Sequence, residues 1–328
     1  MNFGKQIIEC VPNFSEGRDA FKIKQITNSI EKVDGVKLLH VDTGYDTNRT
    51  VVTFAGYPSA VCEAAYNAVK MASEIIDMSC HTGKHPRIGA TDVCPLVPIS
   101  NITMDETIEY AKTLAEKIGT ELEIPVYCYE NLALSAERRN LAYCRKGEYE
   151  GLKAKLAEQK PDFGSIEYSS KTAKTGATIV GVRDFLVAVN FNLNTTSKEI
   201  ASKIALWIRE RGTGIQMKGI KAIGWFISDF GIAQVSVNIT DVHSTPLFRV
   251  YEEISKKAME YNVVVTGTEI IGLVSLKVIL DCGKHFMLDE NDEDTLINSA
   301  ILNMNLCEFV PHEKILEKTL YVSESYDK

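Results

Sequence analysis

The chain has 328 residues, 45% of them hydrophobic and 24% charged, which are ordinary proportions for a globular protein. One hydrophobic core rarely serves a chain of this length, so two domains are expected. The formal net charge of −8 argues against proteins that bind nucleic acid or an anionic membrane surface through general electrostatic attraction.

The first half of the chain alternates strand-like and helix-like segments. Apolar residues recur at helical spacing in 19–33, and 58–77 is an alanine-rich segment with proline at its start, so both are predicted helices. Thr103 and Glu106 form the pattern of a capping box at the start of a third helix, 103–122. Short apolar runs predict strands at 6–14, 35–44, 49–57, 92–100 and 125–130. Through the fourth strand the order is β-α-β-β-α-β.

The second half repeats this order without evident sequence identity to the first. Helices are predicted at 196–212 and 246–262. Strands are predicted at 185–193, 220–227, 232–240 and 263–270, with a hairpin turn at 228–231. The repeated order predicts an α/β (α+β) fold of two similar subdomains, 1–181 and 182–328, each a mixed β-sheet with helices on its outer face. The last residues, 323–328, are predicted to be a frayed tail.

The segment 156–183 between the two halves is rich in Gly, Ser, Thr and Lys and has no convincing periodicity. This composition favours a linker. Three lysines and Arg183 concentrate positive charge around Gly164 and Gly176, so a ligand-binding loop at the domain junction is the alternative.

The eight cysteines are scattered, without a CxxC pair, and most lie in apolar runs. This pattern favours reduced, buried thiols in a cytoplasmic protein over a disulfide framework. The amino terminus lacks the charged and apolar regions of a secretory signal, and no apolar run reaches the roughly 18 residues of a transmembrane helix. A cytoplasmic protein without a membrane span is therefore expected.

Two of the six histidines, His81 and His85, lie four residues apart in a loop rich in glycine. Histidines at this spacing on a helix can bind zinc. Here Gly83 lies between them and Pro86 follows, so helical geometry is doubtful, and the remaining histidines are isolated. A metal site is therefore not predicted.

Catalysis by a histidine is the better hypothesis for this loop. Histidine is the usual general base near neutral pH, and His85 lies between a predicted helix and a predicted strand. Lys84 and Arg87 beside it would attract an anionic substrate and favour the neutral imidazole. Residue chemistry alone does not separate His85 from His81, or a catalytic histidine from a surface one.

A second polar group surrounds the turn between the second and third predicted strands. Asp42 ends one strand and Arg49 begins the next, where such side chains can orient a histidine or clamp a carboxylate. Asp, Asn and Gly are also expected in a purely structural turn. The absence of a GxGxxG fingerprint, a Walker loop and a GxSxG elbow disfavours nucleotide-dependent enzymes and serine hydrolases.

The chain resembles the formiminotransferase family in six segments that cover both halves: ECVPNFSEGRD, DTGYDTNRTVVTFAG, HPRIGATDVCPLVP, PDFG, GATIVGVRDFLVAVNFNL and KAIGW. The resemblance implies two α/β subdomains whose sheets stack with a folate cleft between them, in a homodimer. It implies transfer of a formimidoyl group from N-formimino-L-glutamate to tetrahydrofolate, a step of histidine degradation, without a metal or prosthetic group. In vertebrates this module is fused to a cyclodeaminase domain, and the resemblance is to the transferase module alone.

The resemblance also implies site residues. The family's catalytic histidine precedes Pro-Arg, which is the context of His85 and not of His81. Asp42 or Arg87 would orient it or the substrate, with Arg49 among the substrate-binding residues. The family's folate-binding segment runs from the glycine of PDFG to the glycine of GAT, which here are Gly164 and Gly176, and this chain's segment is longer and richer in lysine than the family's pattern.

Two other functions stay open at this point. An enzyme that processes 5-formyltetrahydrofolate would use similar folate contacts, and a folate-binding module without catalysis would keep the fold but not the turnover. The partners expected in each case are small molecules and not nucleic acid or membrane.

Overall fold

The computed structural model describes residues 6–228 and 231–321. The chain divides into two compact units, with the boundary between Asp184 and Phe185. The sequence-based domains, 1–181 and 182–328, stay a prediction, because compactness does not test whether either part folds alone. The two central residues of the predicted turn at 228–231 and the predicted tail at 323–328 lie outside the described residues.

The first unit contains a seven-stranded mixed sheet. Its strands are β1 (Ile7–Cys10), β2 (Asn13–Phe14), β3 (Val36–Gly44), β4 (Arg49–Gly56), β5 (Thr91–Ser100), β6 (Val126–Glu130) and β7 (Thr178–Val182). The order is β1-β4-β2-β5-β7-β6, with β3 also on β4; β7 is parallel to both its neighbours, and the other pairings are antiparallel. The run 6–14, predicted as one strand, is two short strands that both lie between β4 and β5, interrupted at Pro12, which has no N–H to donate to a ladder.

The long helices of the first unit cover one face of its sheet. The long helices are α1 (Ala20–Glu31), α2 (Pro58–Ile75) and α3 (Met104–Leu122), and the short ones are α4 (Leu141–Cys144), α5 (Leu152–Glu158) and α6 (Ser170–Thr175). The predicted capping box of Thr103 and Glu106 is confirmed at the start of α3. The buried residues of the long helices form one core with alternate strand residues such as Val52 and Phe54. A smaller core beneath α5 contains Tyr127 of β6 on the opposite face.

The linker predicted for 156–183 is wrong over much of its length. The segment contains α6 and β7, and β7 lies between β5 and β6 with all five of its residues buried. A parallel strand that is covered on both faces has a continuous apolar sequence, without alternation of polar and apolar residues. The segment TIVGV therefore lacks the alternation from which a strand would be predicted.

The second unit has a four-stranded sheet with helices. Its strands are β8 (Val187–Leu193), β9 (Ile220–Ile227), β10 (Ile232–Ile239) and β11 (Val265–Ile271), in the order β11-β8-β10-β9. Its helices are α7 (Lys198–Ile208), α8 (Leu247–Met259), α9 (Leu276–Phe286), α10 (Glu293–Asn303), α11 (Pro311–Lys314) and α12 (Leu316–Tyr321). The predicted α/β class with two sheets is confirmed.

The prediction of a mixed sheet in the second half is wrong, because each pairing of the described strands there is antiparallel. Helix α7 connects β8 to β9, which are separated in the sheet by β10, and α8 connects β10 to β11, which are separated by β8. An antiparallel strand therefore lies between the two parallel strands that each helix connects, which is the split β-α-β arrangement.

Candidate active site

One face of the first sheet carries polar side chains. Residues directly opposite each other in neighbouring strands share a face. Asn13 of β2 and Asp42 of β3 both lie opposite Val51 of β4, so they share this face with Arg49, two residues from Val51. This is the face that α1, α2 and α3 do not cover, because Val52 points to their core.

Several atoms on this face are buried without a hydrogen bond. Within 6–228 and 231–321 these atoms include Asn13 Oδ1, Arg49 Nε, Thr53 Oγ1 and Thr91 Oγ1. Buried polar groups in folded proteins nearly always have a partner. The polar face is therefore suited to bind the polar groups of a ligand.

The loop of residues 81–90, which carries His81 and His85 and is called the histidine loop below, is attached to the β3–β4 turn by Asn48. This buried residue has a positive φ of 47°. Its Oδ1 accepts from the Gly17 backbone N–H at 2.9 Å, and its Nδ2 donates to the Thr82 carbonyl at 2.9 Å. Nε2 of His81 donates to the Asn48 carbonyl at 2.9 Å. His81 therefore holds the loop in place, which is a structural role that the sequence did not distinguish from catalysis.

Arg87 holds the other side of the loop. Its side chain is buried, and Nη1 and Nη2 donate to the two carboxylate oxygens of Glu150 at 2.8 and 2.6 Å. Nη1 also donates to Glu148 at 3.3 Å, and Nε donates to Nδ1 of His81 at 3.3 Å. These bonds, first of all those to Glu150, raise the pKa of Arg87. The guanidinium that was expected to bind substrate is engaged by carboxylates of its own chain.

His85 itself is a neutral imidazole with a defined tautomer. Nδ1 lies 2.7 Å from the Pro86 carbonyl oxygen, which can only accept, so Nδ1 carries the hydrogen and Nε2 the lone pair. Burial, and then the charges of Arg49 and Arg145, lower the pKa of His85 well below its ordinary value of 6.5. The ring is therefore in the form of a base at neutral pH.

Arg145 and Asp92 complete the surroundings of His85. Arg145 follows α4 and donates through Nε and Nη2 to the two oxygens of Asp92 at 3.2 and 2.5 Å. Asp92 is only 1% exposed and also accepts from the Ile88 N–H at 3.1 Å. Sequence reasoning missed this pair, although an aspartate inside the apolar strand TDVCPLVP is an available signal.

Arg49 lies in the same group of charges. Burial, and then repulsion by Arg145, lower its pKa to about 10, while Asp92 and Asp42 act in the opposite direction. Asp42 lies 3.8 Å from Nε2 of His40, measured from Oδ2. The structure thus brings Asp42, Arg49 and His85 into one electrostatic neighbourhood.

The predicted folate-binding segment begins and ends at tightly packed glycines. Gly176 has a φ of 67° and forms a bridge with Gly89 of the histidine loop, and an added Cβ would lie 2.4 Å from the Gly89 Cα. Gly164 has a φ of 85°, and its Cβ would lie 2.1 Å from the Ile124 carbonyl oxygen. Backbone packing alone therefore requires glycine at both ends of the segment, and its carboxyl end adjoins the histidine loop.

Two lysines of this segment have partners within the protein. Lys171 forms an ion pair with Glu123 at 2.7 Å, and Lys174 donates to the Glu74 carbonyl at 2.6 Å. Two of the positive charges that suggested a ligand-binding loop therefore bind this segment to Glu123 and Glu74 of the same chain.

The second sheet also has a polar face. Nε1 of Trp225 donates to Gln234 at 3.0 Å, and Gln234 donates to Asn192 at 2.6 Å. Asn190 donates to Glu269 at 3.1 Å. This face was not predicted, although the alternation of polar and apolar residues in VAVNFNL and IAQVSVNI indicates it.

Among the described residues, no group of three or more His, Cys, Asp or Glu side chains is placed to hold a metal ion. None of the described helices combines the length and the apolarity that crossing a membrane requires.

Comparison with known proteins connects both units to one family. Residues 7–183 match the formiminotransferase domain, N-terminal subdomain, and residues 188–321 match the formiminotransferase domain. The glutamate formimidoyltransferase of Streptococcus pyogenes serotype M1 is 43% identical over 288 residues, which are 87% of this chain and 95% of that protein. The protein of the same name from Thermoplasma acidophilum is 41% identical over 296 residues, 89% of this chain and 96% of that one.

A longer relative, the formimidoyltransferase-cyclodeaminase of Rattus norvegicus, is 43% identical over 325 residues, which cover 95% of this chain and 59% of that protein. The chain spans about three fifths of the length of the relatives that carry this double name. The resemblance seen in the six sequence segments is confirmed across both units, and the chain belongs to the formiminotransferase family.

Proposed function

We propose that this chain transfers the formimidoyl group of N-formimino-L-glutamate to tetrahydrofolate, giving L-glutamate and 5-formiminotetrahydrofolate, in histidine degradation. Two relatives named glutamate formimidoyltransferase, which this chain matches over at least 95% of their length, support this activity. The observation that carries the proposal is His85, a neutral imidazole whose tautomer puts the lone pair on Nε2.

The reaction needs one proton to move between two nitrogens. N5 of tetrahydrofolate attacks the formimidoyl carbon, and Nε2 of His85 takes the N5 proton as the new C–N bond forms. The bond from that carbon to the glutamate nitrogen then breaks, and the nitrogen keeps the electron pair and takes the proton from Nε2. Such acid–base catalysis contributes about 10²- to 10⁴-fold. Tetrahydrofolate is a co-substrate, and the scheme needs no metal or prosthetic group.

The other predicted residues support this reaction in different ways. We assign Asp42 and Arg49 to substrate binding on the polar face, and the segment from Gly164 to Gly176 to folate binding beside the histidine loop. Arg87 acts as a positioning residue, because its guanidinium is bonded to Glu150 and His81.

Replacement of His85 tests the assignment. His85→Ala should lower the release of glutamate from formiminoglutamate by at least about 100-fold, because the proton transfer is lost. Binding of tetrahydrofolate, measured by calorimetry, should change little. His312→Ala is the control, because His312 is a histidine whose side chain is 63% exposed. Unchanged turnover in the His85→Ala protein would refute the role of His85.

The same assay separates the alternative functions. Turnover of 5-formyltetrahydrofolate with ATP, and not of formiminoglutamate, would favour the formyl-processing enzyme. Binding of tetrahydrofolate by the wild-type chain without any turnover would favour a non-catalytic module.

We also propose that the protein acts in the cytoplasm as a homodimer. All eight cysteines are free thiols, which is typical of a reducing compartment. Membership of the formiminotransferase family supports the dimer.

A further inference from the structure

Arg49 is a buried cation whose bonding is incomplete within the protein. Its Nε is buried and has no hydrogen-bond partner among residues 6–228 and 231–321. A buried charged group without its hydrogen bonds is costly, and proteins usually supply a partner. An anionic group of a ligand would match this guanidinium in charge and in hydrogen-bonding geometry.

Arg145 adds a second guanidinium in a fixed orientation. Its Nε and Nη2 are bonded to Asp92, which is itself held by the Ile88 N–H, and these bonds leave Nη1 outside the pair. The planar guanidinium is therefore held through Nε and Nη2, and its edge formed by Nη1 and Nη2 can bind a carboxylate through two hydrogen bonds. The loop that carries His85 is bonded to both arginine segments: the Lys84 N–H donates at 3.2 Å to the carbonyl of Asp46, three residues before Arg49, and the Ile88 N–H donates to Asp92, the partner of Arg145. The charges of both arginines act on His85.

We propose that Arg49 and Arg145 together bind the α-carboxylate of the amino-acid donor beside His85. This inference rests on the proposed transfer reaction. The nitrogen that leaves is bonded to the α-carbon, so the α-carboxylate must lie next to the group that hands a proton to this nitrogen. The γ-carboxylate is two methylene groups further away, and the carboxylates of folate lie at the opposite end of that molecule from N5.

Three donor compounds separate the two carboxylates. Calorimetry on the full chain compares N-formimino-L-glutamate, its γ-amide N-formimino-L-glutamine, and 4-(formiminoamino)butanoate, which lacks the α-carboxylate. Loss of the α-carboxylate should weaken binding by about 10- to 100-fold, as expected for charge-assisted hydrogen bonds. Loss of the γ charge should have a smaller effect.

Two substitutions assign this preference to the arginines. Arg145→Lys keeps the positive charge against Asp92 but removes the planar guanidinium that can donate two hydrogen bonds at once. Donor binding should therefore weaken about tenfold, while binding of 4-(formiminoamino)butanoate stays nearly constant. Arg49→Lys should give the same pattern, and it serves if the Arg145 variant does not fold.

Arg138→Lys is a matched control. Arg138 is also 15% exposed in its side chain and also pairs with an aspartate, Asp162, whose side chain is 7% exposed, but it is not among the charges that act on His85. Its replacement should leave donor binding unchanged, which separates a general loss of stability from loss of the subsite.

The outcomes that overturn the inference are distinct from those that overturn the proposed function. Wild-type protein that binds 4-(formiminoamino)butanoate as tightly as the donor, or arginine variants that weaken the binding of both compounds equally, would refute the carboxylate subsite alone. Wild-type protein that binds tetrahydrofolate but not formiminoglutamate would refute both.

Discussion

At the scale of single residues, positive charges and burial set the properties of His85. Many catalytic histidines donate a hydrogen bond to a carboxylate, which favours the protonated ring. Here Nδ1 donates to a backbone carbonyl, and the positive charges of Arg49 and Arg145 act on the ring. The ring is thereby kept as a neutral base before the substrates bind.

The pH dependence should follow from these charges. The pKa of His85 in the free protein lies below 6.5, because burial, Arg49 and Arg145 oppose protonation more strongly than the bond to Pro86 favours it. The acid limb of kcat/KM should therefore lie below pH 6.5. Arg49→Gln should move this limb to higher pH, whereas Arg49→Lys, which keeps the charge, should not. An acid limb at or above 6.5 in the wild type would contradict the prediction.

The free energy of unfolding should also decrease as the pH falls, because the pKa of His85 is lower in the folded chain than in the unfolded chain. Between the lowered pKa of folded His85 and its ordinary value of 6.5, the unfolded chain binds a proton that the folded chain does not. The contribution of His85 to the free energy of unfolding is therefore lost as the pH falls below about 6.5, and urea titrations of the wild type and His85→Ala across this range measure it.

At the scale of elements, the histidine loop is bonded directly to the end of α6. The loop is bonded to Asn48 on one side and Glu150 on the other, and its Gly89 meets Gly176 after α6. The proposed folate segment and the proposed catalyst can therefore not move independently at this contact.

Replacement of Gly176 tests this contact. Gly176→Ala should lower the free energy of unfolding by about 2–4 kcal/mol. The added Cβ would lie 2.4 Å from the Cα of Gly89, and alanine would also have to adopt a positive φ, which is unfavourable for residues other than glycine. Gly231→Ala is the matched control: its φ is 64°, and among the described residues no atom beyond its chain neighbours lies within 4 Å of an added Cβ, so only about 1 kcal/mol is expected. Urea denaturation measures both, and equal effects would show that packing is not the reason for glycine at 176.

At the scale of the whole molecule, the thiols should differ sharply in reactivity. Cys80 is exposed, whereas burial raises the pKa of Cys62, Cys128 and Cys282 to about 12. A thiol reagent should therefore label one cysteine rapidly in the native protein and all eight after denaturation. Cys80→Ser should remove the rapid phase, and a rapid phase of several thiols would contradict the burial described.

The sequence by itself determined the local structure and the family. Periodicity and capping residues located α1, α2 and α3, because these signals depend on neighbours within one or two turns. The duplicated element order predicted two α/β parts, and the six family segments pointed to His85 rather than His81. Its catalytic role stays a prediction that the His85→Ala assay tests.

Only the tertiary structure decided which side chains surround His85. Asp92 and Arg145 are separated by 53 positions and come together because β5 and the chain after α4 meet. The insertion of β7 between β5 and β6, and the engagement of Arg87 by Glu150, depend equally on contacts between distant segments. Burial and charge at close range set the protonation state of His85, and both arise only when the chain folds, because periodicity and motif spacing carry no information about which distant residues meet.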